Sequence, residues 1–263
     1  MDTVGELQAR IQEIVQAGGA ALLPWHELAH WSGSFDAVPR ALRVGELRFQ
    51  HPRSAEWSLR APATLPCSPP RHLLVSRSAA QGERATTLLN SFALRFALTA
   101  SPERLRILLV DAYEDGRSAL PALRRLRPPK VTFGRPNTIT SWLAGKQDMV
   151  GLVVVYHALL EDEAPEDADH ALRESDLCQL VEHLRDPRQE VMMAIAFDPG
   201  RPDHPLAVAA ENLSLNVSRV TLSASGEDRI DGAEASPLLS KFTPDESPAT
   251  DIAERILALA GCV

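Results

Sequence analysis

The fold is decided by residues 71–116, which begin Arg71-His-Leu-Leu-Val-Ser-Arg-Ser-Ala-Ala-Gln-Gly-Glu-Arg84 and run through a helical stretch to Leu98 and then Ser101-Pro-Glu-Arg-Leu-Arg-Ile-Leu-Leu-Val-Asp111. The strands expected at 73–76 and 105–110 are short and apolar without alternation, and a helix at 84–99 joins them. Such runs leave no face for water, so they imply strands covered on both sides, the condition of a parallel sheet. The alternation continues downstream. A short helix at 117–126, a strand at 130–133, a helix at 137–144, the most apolar strand at 149–156, a helix at 172–185, a strand at 191–197, a helix at 205–213 and a strand at 217–223 follow in order. The expected class is α/β, a mostly parallel sheet with helices on both faces.

Before this block, Val4, Leu7, Ile11, Ile14 and Val15 recur at helical spacing, and Gly18-Gly19 ends the pattern. A short helical piece at 24–31, two strands at 41–49 and 56–61, and a proline-rich connector at 62–70 are expected next. After Glu227 the chain is polar and turn-rich until a closing helix at 248–260. These readings divide it into an extension of helix and strand at 1–66, a core at 67–226, and a tail at 227–263.

The loop after the first core strand has the place of a phosphate-binding loop but not its residues. G-x-x-x-x-G-K-[ST] works because glycines let backbone N–H groups wrap the phosphates, the lysine neutralises them, and the hydroxyl holds magnesium. Here Gly82 is the second glycine, while Arg77 stands at the first glycine position, Glu83 at the lysine position and Arg84 at the hydroxyl position. A carboxylate therefore stands where a triphosphate needs a cation.

At 263 residues the chain can bury one full core. A formal charge of −8 argues against a surface built for non-specific nucleic-acid binding, which needs clustered excess Lys and Arg. The three cysteines, Cys67, Cys178 and Cys262, are far apart and fit a reducing cytoplasm rather than a disulfide or metal framework. No apolar run reaches the roughly 18–20 residues needed to span a bilayer, and no signal segment opens the chain. Plentiful Arg, Ala and Pro with scarce Lys suggest a bacterial, GC-rich source.

With these elements in place, the chain resembles the RecA-like motor domain of the FtsK/SpoIIIE and HerA DNA translocases and the ATPase domains of type VII secretion. The likeness rests on the strand His72–Ser76 before the loop, on Thr87-Leu-Leu-Asn-Ser91 in the following helix, and on Ser101-Pro-Glu-Arg-Leu-Arg-Ile-Leu-Leu-Val-Asp111. The order of later elements through residue 230 agrees, so the likeness covers roughly 40–230. Where that family ends its magnesium-binding strand in Asp-Glu, this chain has Tyr156-His157, and the polar sensor pair is replaced around Phe197 and Asp198. Asp111 is the family-like acid retained, and the turn at 113–116 is the segment it would cap. The resemblance thus implies a P-loop NTPase fold whose catalytic positions Gly82, Glu83, Arg84, Asp111, Tyr156 and His157 are degenerate: a pseudo-ATPase without ATP or magnesium. It also implies an oligomeric protein partner, with DNA reached through that partner. The readings that remain open are an active translocase with unusual motifs, and a module that binds a small phosphate ligand through Arg77, Gly82 and Arg84, against the charge of Glu83. Glu83 and Arg84 are otherwise expected to pair with each other or to cap the helix start.

A second motif competes. His26-Glu-Leu-Ala-His30 is a literal H-E-x-x-H, which on a helix puts two histidines one turn apart to share zinc, with Glu27 as general base. Its setting resembles the zinc-peptidase-like domain of some anti-restriction proteins, and Asp36, Glu46 and His51 are candidate third ligands of a zinc hydrolase. The bland alternative is a short amphipathic helix that packs Trp25, Leu28 and Ala29 on the core and leaves the histidines at the rim. The basic run from Leu123 to Lys130 is expected to be a solvated edge, and the acidic segment 161–169 an exposed loop.

Overall fold

The computed structural model describes residues 3–28, 30, 40–51, 54–68, 70–100, 103–112, 118–126, 130–144, 150–159, 172–186, 191–200, 204–212, 216–231 and 239–259. Its chain order opens with helix α1 (Thr3–Gly18), a tight 3-10 turn at Gly19–Ala21, α2 (Trp25–Leu28) and the strands β1 (Ala41–His51) and β2 (Ser54–Pro66). The core then follows as β3 (His72–Ser76), α3 (Gly82–Thr99), β4 (Leu105–Val110), α4 (Pro121–Arg125), β5 (Val131–Gly134), α5 (Thr138–Ala144) and β6 (Val150–Val155). It continues with α6 (Glu174–Arg185), β7 (Val191–Phe197), α7 (Pro205–Asn212) and β8 (Val217–Thr221), and closes with β9 (Arg229–Ile230), β10 (Leu239–Pro244) and α8 (Thr250–Leu259).

The large sheet has seven strands in the order β5-β4-β6-β7-β3-β8-β9, all parallel except the antiparallel β8–β9 pair. The expected α/β class with a mostly parallel sheet is therefore what the chain forms. The first core strand, β3, lies between β7 and β8, so the chain leaves β3 in one direction and returns past it in the other. Such reversals gather ligand-binding groups at the carboxyl ends of the strands in open α/β sheets.

Alternate residues of each strand feed two separate cores. Leu73, Val75, Leu152 and Val154 pack with Leu88, Leu89 and Phe92 of α3 and with Ala253, Ile256 and Leu257 of α8. Leu74, Val153 and Val155 face the other way, onto Leu177, Leu180 and Leu184 of α6 and Leu206 of α7. Each fully buried Leu or Phe side chain contributes about 1.5–3 kcal/mol relative to exposure. The second half of α3 is buried all round, because the large sheet covers one side and the small sheet, α8 and the turn after α1 cover the other.

The small sheet is antiparallel in the order β10-β1-β2. It corrects two sequence expectations. The prolines at 62 and 66 belong to a strand and not to a connector, Pro62 lying opposite Glu46 and Pro66 opposite Ala41. They are tolerated because β2 is an edge strand, where a proline nitrogen turned outward removes no ladder bond. The tail is likewise not turn-rich throughout, since β10 pairs with β1 through Leu47 opposite Phe242 and Gly45 opposite Pro244. Gly45 permits that closure: a Cβ there would lie 2.4 Å from the Thr243 carbonyl oxygen and 2.5 Å from the Phe242 ring. Two helices are shorter than expected, α2 being one turn and α4 covering only Pro121–Arg125. Among the described residues no helix is long and apolar enough to cross a membrane.

Candidate functional site

The carboxyl edge of the large sheet carries the positions singled out in the sequence. Beyond Ser76 the Arg77 N–H donates to the Phe197 carbonyl at 3.1 Å, and Leu222 N–H donates to the Ser76 carbonyl at 2.9 Å. The chain then turns through an extended Ser78 and a 3-10 turn at Ala79–Gln81 into α3. A strand, loop and helix thus keep the layout of a phosphate-binding loop. Gly82 has helical dihedrals (φ −55°), so its backbone conformation makes no demand for glycine.

What lies over Gly82 is Arg77. A Cβ at Gly82 would find the Arg77 guanidinium at 3.8–3.9 Å and nothing else nearer. Arg77 is buried, and its Nη2 lies 3.0 Å from His157 Nδ1 while Nη1 is 3.4 Å from the Ser78 carbonyl. An arginine can only donate, so His157 Nδ1 accepts and its proton sits on Nε2. That Nε2–H points at Ser118 Oγ, 3.1 Å away, and Ser118 N–H donates to Asp111 Oδ2 at 2.8 Å. Burial first, and then the neighbouring Arg77 charge, hold the His157 pKa below the ordinary histidine value, with Asp111 opposing in part. The imidazole is neutral and fixed in one tautomer. It cannot serve as a base toward Ser118, because the nitrogen facing the hydroxyl already carries its proton.

Tyr156 turns to the opposite side of its strand. It is fully buried, and its hydroxyl donates to Asn90 Oδ1 at 2.7 Å. Asn90 also donates from Nδ2 to the Ser118 carbonyl (2.8 Å) and accepts from Leu120 N–H (3.0 Å). Burial, reinforced by Asp111, pushes the Tyr156 phenol well above its usual pKa, so it stays a donor. Neither Tyr156 nor His157 offers an oxygen ligand set for magnesium.

Arg84 is not paired with its neighbour. Glu83 is exposed, and consecutive helical residues do not share a face. Arg84 instead bonds to Asp228 Oδ2, to Gln81 Oε1 at 3.1 Å and to the Ser223 carbonyl at 3.2 Å. Asp228, buried, accepts the Ser223 N–H on its other oxygen at 3.0 Å. The expectation of a Glu83–Arg84 pair is thus replaced by a tie from the start of α3 to the β8–β9 hairpin. Asp111 joins the site through Ser118, while the turn 113–116 lies outside the described residues. Taken together, a cation fills the cradle, an exposed acid replaces the lysine, and a committed arginine replaces the hydroxyl. These groups do not fit a magnesium nucleotide.

The second motif folds differently from a zinc helix. The α2 turn is only Trp25–Leu28, and His30 N–H closes it by a 3.1 Å bond to the Glu27 carbonyl. The His26 side chain is 82% exposed, and Glu27 accepts from Gln16 Nε2 at 3.1 Å. Trp25 anchors the turn by donating Nε1–H to Ser91 Oγ at 3.0 Å. Among the described residues no group of three His, Cys, Asp or Glu side chains is placed to hold a metal. Of the candidate third ligands, Glu46 faces arginines, and Asp36 and the His51 side chain lie outside the described residues, as do Ala29 and the acidic segment 161–169. In the basic run, Leu123 is buried and Arg125 pairs with Glu254 at 2.7 Å.

Sequence reading missed a second charged centre. Arg95 is wholly buried in α3, its guanidinium 4.2 Å from the centre of the Trp25 ring. It donates to the Ala20 and Leu23 carbonyls (3.1 and 2.8 Å) and to Asp245 Oδ2 (3.0 Å). Arg43 Nε shares the same carboxylate at 3.0 and 3.1 Å. Burial lowers the Arg95 pKa to about 10, partly offset by Asp245, so it remains charged at neutral pH. The signal available in the sequence was one arginine inside the otherwise apolar run Phe92 to Leu98.

No protein-family model matches the chain, and no curated protein matches it by sequence. Solved structures do match. EssC (ATPases 2 and 3) from Geobacillus thermodenitrificans superposes with a TM-score of 0.53 at 14% identity, over 88% of this chain and 50% of that one. The cytoplasmic domain of EssC gives 0.49 at 16% identity over 84% and 49%, and Thermomonospora curvata EccC (ATPases 2 and 3) in complex with a signal sequence peptide gives 0.48 at 14% over 89% and 48%. The chain therefore spans about half the length of the structures it matches. Its fold is the RecA-like P-loop ATPase fold expected from residues 71–116.

Proposed function

We propose that this protein is a pseudo-ATPase of the motor fold, one that binds and hydrolyses no nucleotide and serves as a structural or regulatory subunit of a larger assembly. The observation that carries the reading is Arg77, whose guanidinium lies against Gly82 and is hydrogen-bonded to His157. The position that should receive phosphate is filled by the chain's own cation, and that cation is tied to the residue standing where magnesium chemistry needs a carboxylate. The fold is kept while the side chains that once would have met a ligand now meet each other. The matched EssC structure holds two ATPase units and this chain spans about half of it, which favours work beside another unit of the same fold, in a homo- or hetero-oligomer. Contact with DNA would then come through the partner.

Calorimetric titration of the purified chain with ATP and magnesium tests the inactive site. No saturable heat and no phosphate release are expected at millimolar nucleotide, whereas micromolar binding with turnover would establish the active-translocase reading. A native mass measurement of the complex recovered from its source cell tests the assembly role, and a monomer under all conditions would count against it.

A further inference from the structure

Away from the strand-edge site, a cleft of roughly 440 Å³ opens between α1, α2 and the strands β1 and β2. That is within the range of small-molecule sites. One wall is apolar, built from Val15, Trp25 and Pro62, and the floor is Arg43 beside Asp245. The wall is held in place by Gln8 of α1, whose amide accepts from Arg60 N–H at 3.0 Å and donates to the Arg60 carbonyl at 3.3 Å.

Arg43 is the informative residue. Its side chain is only 9% exposed, and Nε is spent on Asp245. No described group accepts a hydrogen bond from its terminal nitrogens, and Glu46 lies 3.9 Å from Nη2. The same Glu46 stands 3.9 Å from Arg60 Nε, so it attracts both guanidiniums without bonding either. Behind the floor, Asp245 is shared between Arg43 and Arg95, which leaves two buried guanidiniums on one carboxylate. An arginine that lines a cleft with no hydrogen bond on its terminal nitrogens suits a planar, two-oxygen acceptor.

We propose that this cleft binds a small organic carboxylate carried on an apolar body. The carboxylate accepts from the terminal nitrogens of Arg43, Arg60 closes from the rim, and the apolar body lies along Trp25, Val15 and Pro62. Glu27 and Glu46 also line the cleft, with the exposed His26 at its mouth. Their negative charge opposes ligands bearing more than one charge, so a singly charged carboxylate is favoured over the phosphate dianion.

The test uses the full chain, with 3-phenylpropionate as probe and 3-phenylpropanamide and inorganic phosphate as comparisons, by calorimetry or amide chemical-shift titration. Saturable binding of the acid is expected, about ten-fold weaker for the amide and for phosphate. Arg60→Met, at a side chain 59% exposed and so safe for folding, should weaken the acid by a similar factor, and Glu46→Gln should tighten it about three-fold by removing a competing charge. A merely structural role for these residues would move neither value. Absence of saturable binding, equal affinity for acid and amide, phosphate binding as tight as the acid, or indifference to either substitution overturns the proposal.

Discussion

Two buried arginine centres among the described residues differ in the groups they meet. Arg95, between the extension and the core, shares the carboxylate of Asp245 with Arg43 and lies over the Trp25 ring. Arg77, at the carboxyl edge of the sheet, is held by a neutral imidazole and a backbone carbonyl. The first centre joins segments far apart in sequence, and its charge is answered by charge. The second stands beside Gly82, and its contacts include that imidazole and that carbonyl. The difference teaches that one buried guanidinium ties distant segments together through a shared carboxylate, while the other gathers the carboxyl edge of the sheet around an imidazole.

The comparison can be broken most directly at Asp245. Asp245→Asn leaves Arg95 buried without its carboxylate and Arg43 with Glu46 at 3.9 Å, and removing one partner of a buried pair costs about 3–5 kcal/mol. Denaturant unfolding should show that loss, along with exposure of Trp25 by fluorescence. A change below about 1 kcal/mol would mean that the cluster is not what joins the extension to the core.

Acid should strike histidines, and the Arg77 centre with them. His72, buried at the start of β3, accepts the Met193 N–H at 3.1 Å, and burial together with His183 holds its pKa down to about 4 against an ordinary 6.5. His157 is lowered in the same direction. Both are neutral when folded and take up protons more readily when unfolded, so stability is full above about pH 6.5 and falls as pH drops below it. For His72 the loss continues to about pH 4 and amounts to roughly 3 kcal/mol. His157→Gln keeps an acceptor for Arg77 and a donor for Ser118 but has no proton to gain. Its unfolding free energy should therefore fall less between pH 7 and pH 5 than that of the parent, and equal slopes would remove His157 from the account.

The smallest expected effect is at Arg77 itself. Arg77→Met removes the charged donor to His157 Nδ1, which should cost about 2 kcal/mol, less than the loss at Asp245. A larger loss at Arg77 than at Asp245 would invert the ranking of the two centres.

Much of the large sheet was legible because each core strand is a self-contained apolar run. Leu105–Val110 and Val191–Phe197 form the strands expected to the residue. The strand β10 was not legible, since Leu239–Pro244 gains its meaning only from pairing with β1, and Phe242 reads as an isolated aromatic until Gly45 opens room for it. At the site, the substitutions at Arg77, Glu83, Arg84 and His157 could be read as departures from a phosphate-loop pattern. Their partners could not. Arg84 is expected to pair with Glu83 or to cap the helix start, but the turn of the helix separates the two neighbours and Asp228 reaches Arg84 from the β8–β9 hairpin.

By itself the sequence determined the class of fold, the place of the altered loop and its departures from the phosphate-loop pattern, because local periodicity and residue chemistry are properties of short stretches. Tertiary structure alone decided that Arg77 meets His157, that Asp111 reaches the site through Ser118, and that Asp245 answers Arg43 and Arg95. Those contacts join residues up to 202 positions apart, and no local pattern specifies which of several distant partners will be brought within hydrogen-bond reach.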